Sequence, residues 1–231
     1  MEFWEILYGS IYLIFSFDKD LLEIIILSLK TSGFATIIAS FLGLITGYTL
    51  AIYNFRSKDF IIILLASLMG IPPVTVGLIV YFIFVESGPL GIFSLLFTPT
   101  VMIIAQFIIV YPIISTLIRE LFEEFWIKYK DPIRSFNIST LGRIYTFFKN
   151  NSYFIFSIFL AGFGRAISEV GAVMIVGGNI EHYTRVMTTS ISLETRMGNL
   201  QKAMSLGIIL LLITIIINVL VFKLNKRKKF D

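Results

Sequence analysis

Residues 203–222 read AMSLGIILLLITIIINVLVF, and the stretch that follows reads KLNKRKKFD. Twenty residues pass without a charge. A helix of that length rises about 30 Å, the thickness of a bilayer's hydrocarbon core. The segment does not alternate apolar and polar positions, as a strand of a membrane barrel must. A lone span must satisfy its own backbone hydrogen bonds, so a helix is expected. Lys223, Lys226, Arg227, Lys228 and Lys229 come directly after it, and such a cationic flank is held on the cytoplasmic side.

Working back toward the N-terminus, four more apolar stretches are long enough to cross, at about residues 153–176, 95–117, 60–85 and 21–53. The totals agree. Of 231 residues, 57% are hydrophobic and 15% charged, and the mean hydropathy is +0.89. A soluble domain needs more polar cover than this. The expected fold class is therefore all-α, a polytopic membrane bundle of five transmembrane helices. With no cysteine in the chain, disulfides and thiolate metal sites are excluded.

Charge placement sets the expected orientation. Of 19 Lys and Arg residues, thirteen fall in one set of segments: Arg56 and Lys58, then Arg119, Lys128, Lys130, Arg134, Arg143 and Lys149, then the five of the tail. The opposite segments hold Lys19, Arg185, Arg196 and Lys202. The N-terminus is thus expected outside and the C-terminus in the cytoplasm, as an odd number of spans requires. The net charge of +4 belongs to that asymmetry, and with no separate basic domain no nucleic-acid partner is expected. Residues 1–20 begin acidic and aromatic, unlike a signal peptide. Residues 1–17 are expected to form an interfacial helix on the outer side, in contact with membrane lipid; a sixth span, which would reverse the N-terminus, is the alternative reading. Residues 21–222 make up the membrane domain, with a cytoplasmic loop at 119–151, and 223–231 form a basic cytoplasmic tail.

Three constellations could carry function. Residues 119–151 mix charge with Phe122, Phe125, Trp126, Tyr129, Phe136 and Phe147, a pattern suited to short helices pressed on another protein. Within them, Asp131 and Pro132 read as a helix cap and first helical position. Asn137 tolerates the left-handed backbone that would end such a helix. Second, Arg165 and Glu169 stand four apart in the fourth span and can pair on one face, with Ser168 beside them. Charge at that depth must face protein or water, and Gly162, Gly164 and Gly171 permit close helix packing. Third, Gly70, Pro72, Pro73 and Gly77 interrupt the second span, and Pro112 the third. Broken helices commonly line transport routes. His182, the single histidine, lies in an outer loop and reads as a surface residue. Gly43 to Gly47 lack the lysine of a phosphate-binding loop, and no HExxH or GxSxG occurs. The chain shows no means of hydrolysing nucleotide.

These residues resemble the permease subunits of ABC importers, in the tungstate branch that also takes molybdate-like oxyanions. The likeness lies in GIPPVTVGLIVYFIF with ESGPLG and LLFTPTVMIIAQ (residues 70–106), and in GFGRAISEVGAVMIVGGNI (residues 162–180). Residues 131–137 sit where that family carries its EAA loop, which docks into a groove on the ATPase. Here Asp131 takes the place of the glutamate, Pro132 and Ile133 the two alanines, Arg134, Ser135 and Phe136 the variable positions, and Asn137 the glycine. A second register would use Gly142 as the glycine. The resemblance implies a type I importer fold and a pathway for an oxyanion, with tungstate first and molybdate, sulfate or phosphate as alternatives. It implies two copies of the chain in a cell inner (cytoplasmic) membrane, two ABC ATPase subunits below and an extracytoplasmic oxyanion-binding protein above. No cofactor is expected on this chain, ATP and Mg2+ belonging to the ATPase. The rival of another class is an ATP-independent ion channel, in which the aromatic cytoplasmic loop has no task.

Overall fold

The computed structural model describes residues 3–227, with side chains from 3 to 224. Lys228 and Lys229 of the tail, with Met1 and Glu2, lie outside the described residues. Helix α1 spans Phe3–Phe15 and α2 Lys19–Ile52. A broken pair follows, α3 Lys58–Met69 and α4 Pro73–Phe84. After a short 3-10 turn at Gly91–Phe93 come α5 Pro99–Ser135, α6 Thr140–Ile167 and α7 Gly171–Gly177. Helices α8 Met187–Met197 and α9 Leu200–Arg227 complete the described residues. Three single helices, α2, α5 and α9, are long and apolar enough to cross a membrane. The pairs α3–α4 and α6–α7 pass the same test together across bends of 105° and 59°, which makes up to five crossings. The protein is an all-α polytopic membrane protein.

Helix α2 starts at Asp18, whose carboxylate accepts from Leu21 N at 3.0 Å, satisfying one of the open N–H groups of the first turn. It then lies along α5 in parallel. Ser32 meets Gln106, Gly43 meets Ser115 and Gly47 meets Ile118, so both numbers rise together. At Gly47 an added Cβ would stand 2.8 Å from the backbone N of Arg119; only glycine admits this approach. Two parallel neighbours require the chain between them to return to its starting side, and α3 with α4 makes that return. Helix α6 runs antiparallel to α5, with Phe147 beside Phe122 at one end and Ala166 beside Gln106 further along.

Three apolar clusters hold the bundle. One joins α4, α5 and α7 around Val80, Met102 and Val176. A second joins α2, α5 and α6 around Ile114, Phe122 and Phe147. The third joins α2, α6, α8 and α9 around Leu21, Ile167, Met187 and Leu206. Helix α1 is too short to cross a core of about 30 Å. It rests on α9, where Ser10 Oγ donates to Gln201 O at 3.0 Å and Ser205 Oγ to Ser10 O at 3.1 Å. Phe3, Trp4, Tyr8, Tyr12 and Phe15 stay exposed on its other faces.

The structure departs from sequence expectation in three places. The third span does not end near residue 117. Helix α5 carries on through Pro112 and Pro132 to Ser135, because Ile118, Phe122 and Phe125 continue its buried face. Asp131 and Pro132 consequently sit in the last turn of α5, not at the start of a new helix. Residues 187–197, expected as outer loop, form α8, which is tied down where Met187 N donates to Ser28 Oγ at 2.8 Å.

Candidate translocation site and cytoplasmic corner

The fourth span breaks between Ile167 and Gly171, and polar groups collect there. Arg165 Nη1 stands 2.7 Å from Glu169 Oε2. The pair expected from the spacing forms, but across the end of α6 and not along a continuous helix. Glu169 is 4% exposed, and its second oxygen accepts from Ala172 N at 3.3 Å, so the same carboxylate caps α7. The backbone carbonyl of Glu169, freed by the break, accepts from Thr188 Oγ1 at 2.7 Å. That of Ala166 accepts from Gln106 Nε2 at 3.0 Å, and the amide also donates to Ser32 Oγ at 3.2 Å. Irregular backbone at membrane depth is tolerated where protein re-satisfies it, and here side chains of α5 and α8 do so. Ser168 turns back on its own helix, donating to the carbonyls of Gly164 and Arg165. Arg165 remains 36% exposed at its side chain, so part of the guanidinium faces outward from the break.

The break in the second span lies against this one. Gly70 closes α3, Pro72 precedes α4 and Pro73 takes its first position. A Cβ on Gly77 would meet Ala172 Cα at 2.7 Å, and one on Gly171 would meet Val74 Cγ2 at 2.6 Å. Gly162 lies close under Ile114 and Val110, whereas Gly164 makes only ordinary contact with Ile217. Both interruptions therefore meet at one level of the bundle, lined by an amide, hydroxyls and one ion pair.

Sequence reasoning missed Gln106, Ser28, Ser32 and Thr188. Ser28, Ser32, Thr36 and Ser40 recur every four residues in the first span, one helix face, and that spacing was the available signal. Gln106 is the lone amide of its span.

At the cytoplasm-assigned end, α5 and α6 are joined by a tight corner. Asn137 has φ +48°. Ile138 N donates to Ile133 O at 3.0 Å and Asn137 N to Arg134 O at 3.1 Å, the paired bonds of a Schellman motif. Ile133 and Ile138 both belong to the second apolar cluster, the hydrophobic contact that accompanies the motif. Ser139 then caps α6, accepting from Gly142 N at 3.2 Å. The left-handed residue is thus Asn137, while Gly142 lies inside the first turn of α6. Ile133 is buried, but Asp131, Pro132, Arg134, Ser135, Phe136 and Asn137 are exposed. Phe136 and Leu141 are each 79% exposed. Underneath, Phe147 is fully buried and stacks on Phe122 at 3.4 Å between centroids. The corner is a supported, projecting apolar surface rimmed by charge.

Far from it, His182 Nδ1 lies 2.8 Å from Glu23 Oε2. The hydrogen bond and charge of Glu23 raise the His182 pKa above its ordinary 6.5. Lys202 approaches Glu194 at 3.6 Å and Asp20 at 3.9 Å, which ties α9 to α8 and α2.

No family model matches the chain. Three relatives cover most of it. The tungstate uptake system permease protein of Peptoclostridium acidaminophilum is 40% identical over 218 residues, 94% of this chain and 96% of that protein. The protein of the same name from Campylobacter jejuni is 35% identical over 94% of this chain and 91% of its own length. A probable anion ABC transporter permease protein of Haloferax volcanii is 35% identical over 87% and 88%. With its broken spans and buried polar break, the chain belongs to the family of ABC transporter permease proteins that includes these tungstate uptake permeases.

Proposed function

We propose that this permease forms the membrane conduit of a tungstate importer driven by a separate ABC ATPase. The observation that carries the substrate is the likeness to two tungstate uptake permeases, at 40% and 35% identity along 94% of the chain. The geometry supports conduction and not chemistry. At membrane depth the break presents the partly exposed guanidinium of Arg165, suited to a passing oxyanion, while the amide and hydroxyls around it hold the freed backbone. Two copies would be needed to enclose a path, since one bundle of this size is packed through its middle. The corner at 131–142 is the docking surface for the ATPase, in the cytoplasm. The opposite end, with α1 and the 178–186 loop, receives an extracytoplasmic binding protein that supplies the tungstate. The membrane is the cell inner membrane, with the N-terminus outside. ATP-driven closure of the ATPase pair would tilt the corners and turn the conduit from inward-facing to outward-facing as rigid bodies.

The test is uptake of tungstate, molybdate and sulfate in cells with and without the chain. Tungstate uptake that depends on the chain and on ATP is expected. Uptake of molybdate or sulfate alone would reassign the substrate. Current through the purified chain in a bilayer without ATP would make it a channel. Changing Asp131 to Lys and deleting residues 132–137 should release the co-purifying ATPase; retained coupling would move the docking surface elsewhere.

A further inference from the structure

On α2, one face carries Leu22, Ile26, Leu29, Phe34, Ile37 and Phe41, all exposed, the first two also lining a shallow groove. Lys30 lies in the middle of that apolar face, exposed. Among the described residues it has no ion-pair partner. Lys30 is eleven residues beyond Lys19, the first residue of α2, about 16 Å along the axis. A 34-residue helix is about 51 Å long and overshoots a core of about 30 Å at both ends. With α2 centred, the Lys30 backbone lies roughly 6 Å below the hydrocarbon edge, within reach of its own stem. Side chains of a helix lean toward its N-terminus, so the ammonium rises toward the headgroups and not toward the bilayer centre.

It rises into a groove of about 440 Å³ lined by Lys19, Leu22, Glu23, Ile26, Leu27, Lys30, His182 and Tyr183. Glu23 is already engaged by His182. Two ammonium groups, Lys19 above and Lys30 below, therefore face the groove without a carboxylate of their own, and the floor is aliphatic. A free oxyanion would gain nothing from that floor. A phospholipid would use all of it.

We infer that this groove is a binding site for one anionic phospholipid, its phosphate held by Lys30 beside Tyr183 and one acyl chain laid along Phe34 and Ile37. The site belongs to the membrane face at the N-terminal end of α2. It does not depend on which oxyanion is transported.

The experiment uses the full chain, with Trp4→Phe and Trp126→Phe so that Tyr183→Trp is the one fluorescent reporter. It is reconstituted in phosphatidylcholine bilayers containing brominated phosphatidylglycerol or brominated phosphatidylcholine at equal fraction. Quenching is expected to be about fivefold more effective with the anionic lipid, from the charge of Lys30 near the surface. Lys30→Gln should abolish the preference, while Arg196→Gln should leave it intact. Native mass spectrometry of the unlabelled chain should show a retained phosphatidylglycerol that Lys30→Gln loses, which separates lipid loss from a disturbed reporter. Equal quenching by both lipids, or a preference that survives Lys30→Gln, would overturn the site. So would relief of quenching by millimolar inorganic phosphate or tungstate, which would make it a stop for free anions. Absence of quenching by either lipid would place a second copy over the groove and would also refute it.

Discussion

Gly77→Ala isolates the contact between the two interrupted spans. The added Cβ would stand 2.7 Å from Ala172 Cα and 3.1 Å from Ala172 O, against ordinary contact at 3.4–4 Å. Both neighbours are backbone, so no rotamer can yield, and α4 must withdraw from α7 by roughly 1 Å. Overpacking of this kind costs about 1–3 kcal/mol. Replacing glycine inside a helix returns about 0.5–1 kcal/mol, which leaves a net loss near 1–2 kcal/mol. Gly33→Ala is the internal standard: its Cβ would meet nothing within 4 Å, so only the helical gain remains. For a chain of this size the two variants should differ in melting temperature by about 5–10 °C, measured by thermal unfolding in one detergent. Tungstate uptake should fall with Gly77→Ala and hold with Gly33→Ala. Because the clash is with backbone, adding Ala172→Gly should not rescue it. Equal melting of Gly77→Ala and Gly33→Ala, or rescue by Ala172→Gly, would refute the close backbone approach.

Arg165→Leu should destabilise more than the double change Arg165→Leu with Glu169→Leu. The single change strands a carboxylate that is 4% exposed, at about 3 kcal/mol; a double-mutant cycle in thermal unfolding reads the coupling. Asn137→Gly should leave ATPase co-purification unchanged, whereas Asn137→Val, forced to φ +48°, should cost about 1–2 kcal/mol and weaken it. The His182 to Glu23 contact should be stronger in mildly acid solution, where the ring is protonated, than in neutral or alkaline solution. His182 has its pKa raised by Glu23, so the protonated pair contributes fully below the ordinary value near 6.5 and is lost as pH rises through the raised value. Limited proteolysis of the 178–186 loop should accelerate across that range, and Glu23→Gln should bring the NMR titration of the ring back toward 6.5.

The crossing segments were legible because hydrocarbon length leaves a plain mark in sequence, and the break at Gly70 to Pro73 was legible because proline removes a donor. The end of α5 was not. Local capping rules read Asp131-Pro132 as a beginning, and they cannot see Phe147 stacking on Phe122 from another helix. The same rules did locate the left-handed Asn137, since that need is local. Helix α8 was hidden because its sequence, MTTSISLETRM, is polar enough to pass for a loop. Its hold comes from Ser28 and Glu169, distant in sequence. The spacing of Arg165 and Glu169 announced their pairing, but not that the carboxylate would also cap α7, because the break itself is a tertiary event.

Helix α5 is one unbroken rod of 37 residues, pinned near its N-terminal end where Gln106 grips Ser32 and Ala166. That makes it a lever. From Gln106 to its far tip at Ser135 is about 44 Å, so rocking it by roughly 5° sweeps the tip through about 4 Å. Because Gly43 and Gly47 let α2 lie flush alongside, the two shafts would swing together. A small stroke applied at the tip by a motor protein would then reach the ion pair at the fulcrum without any helix having to melt.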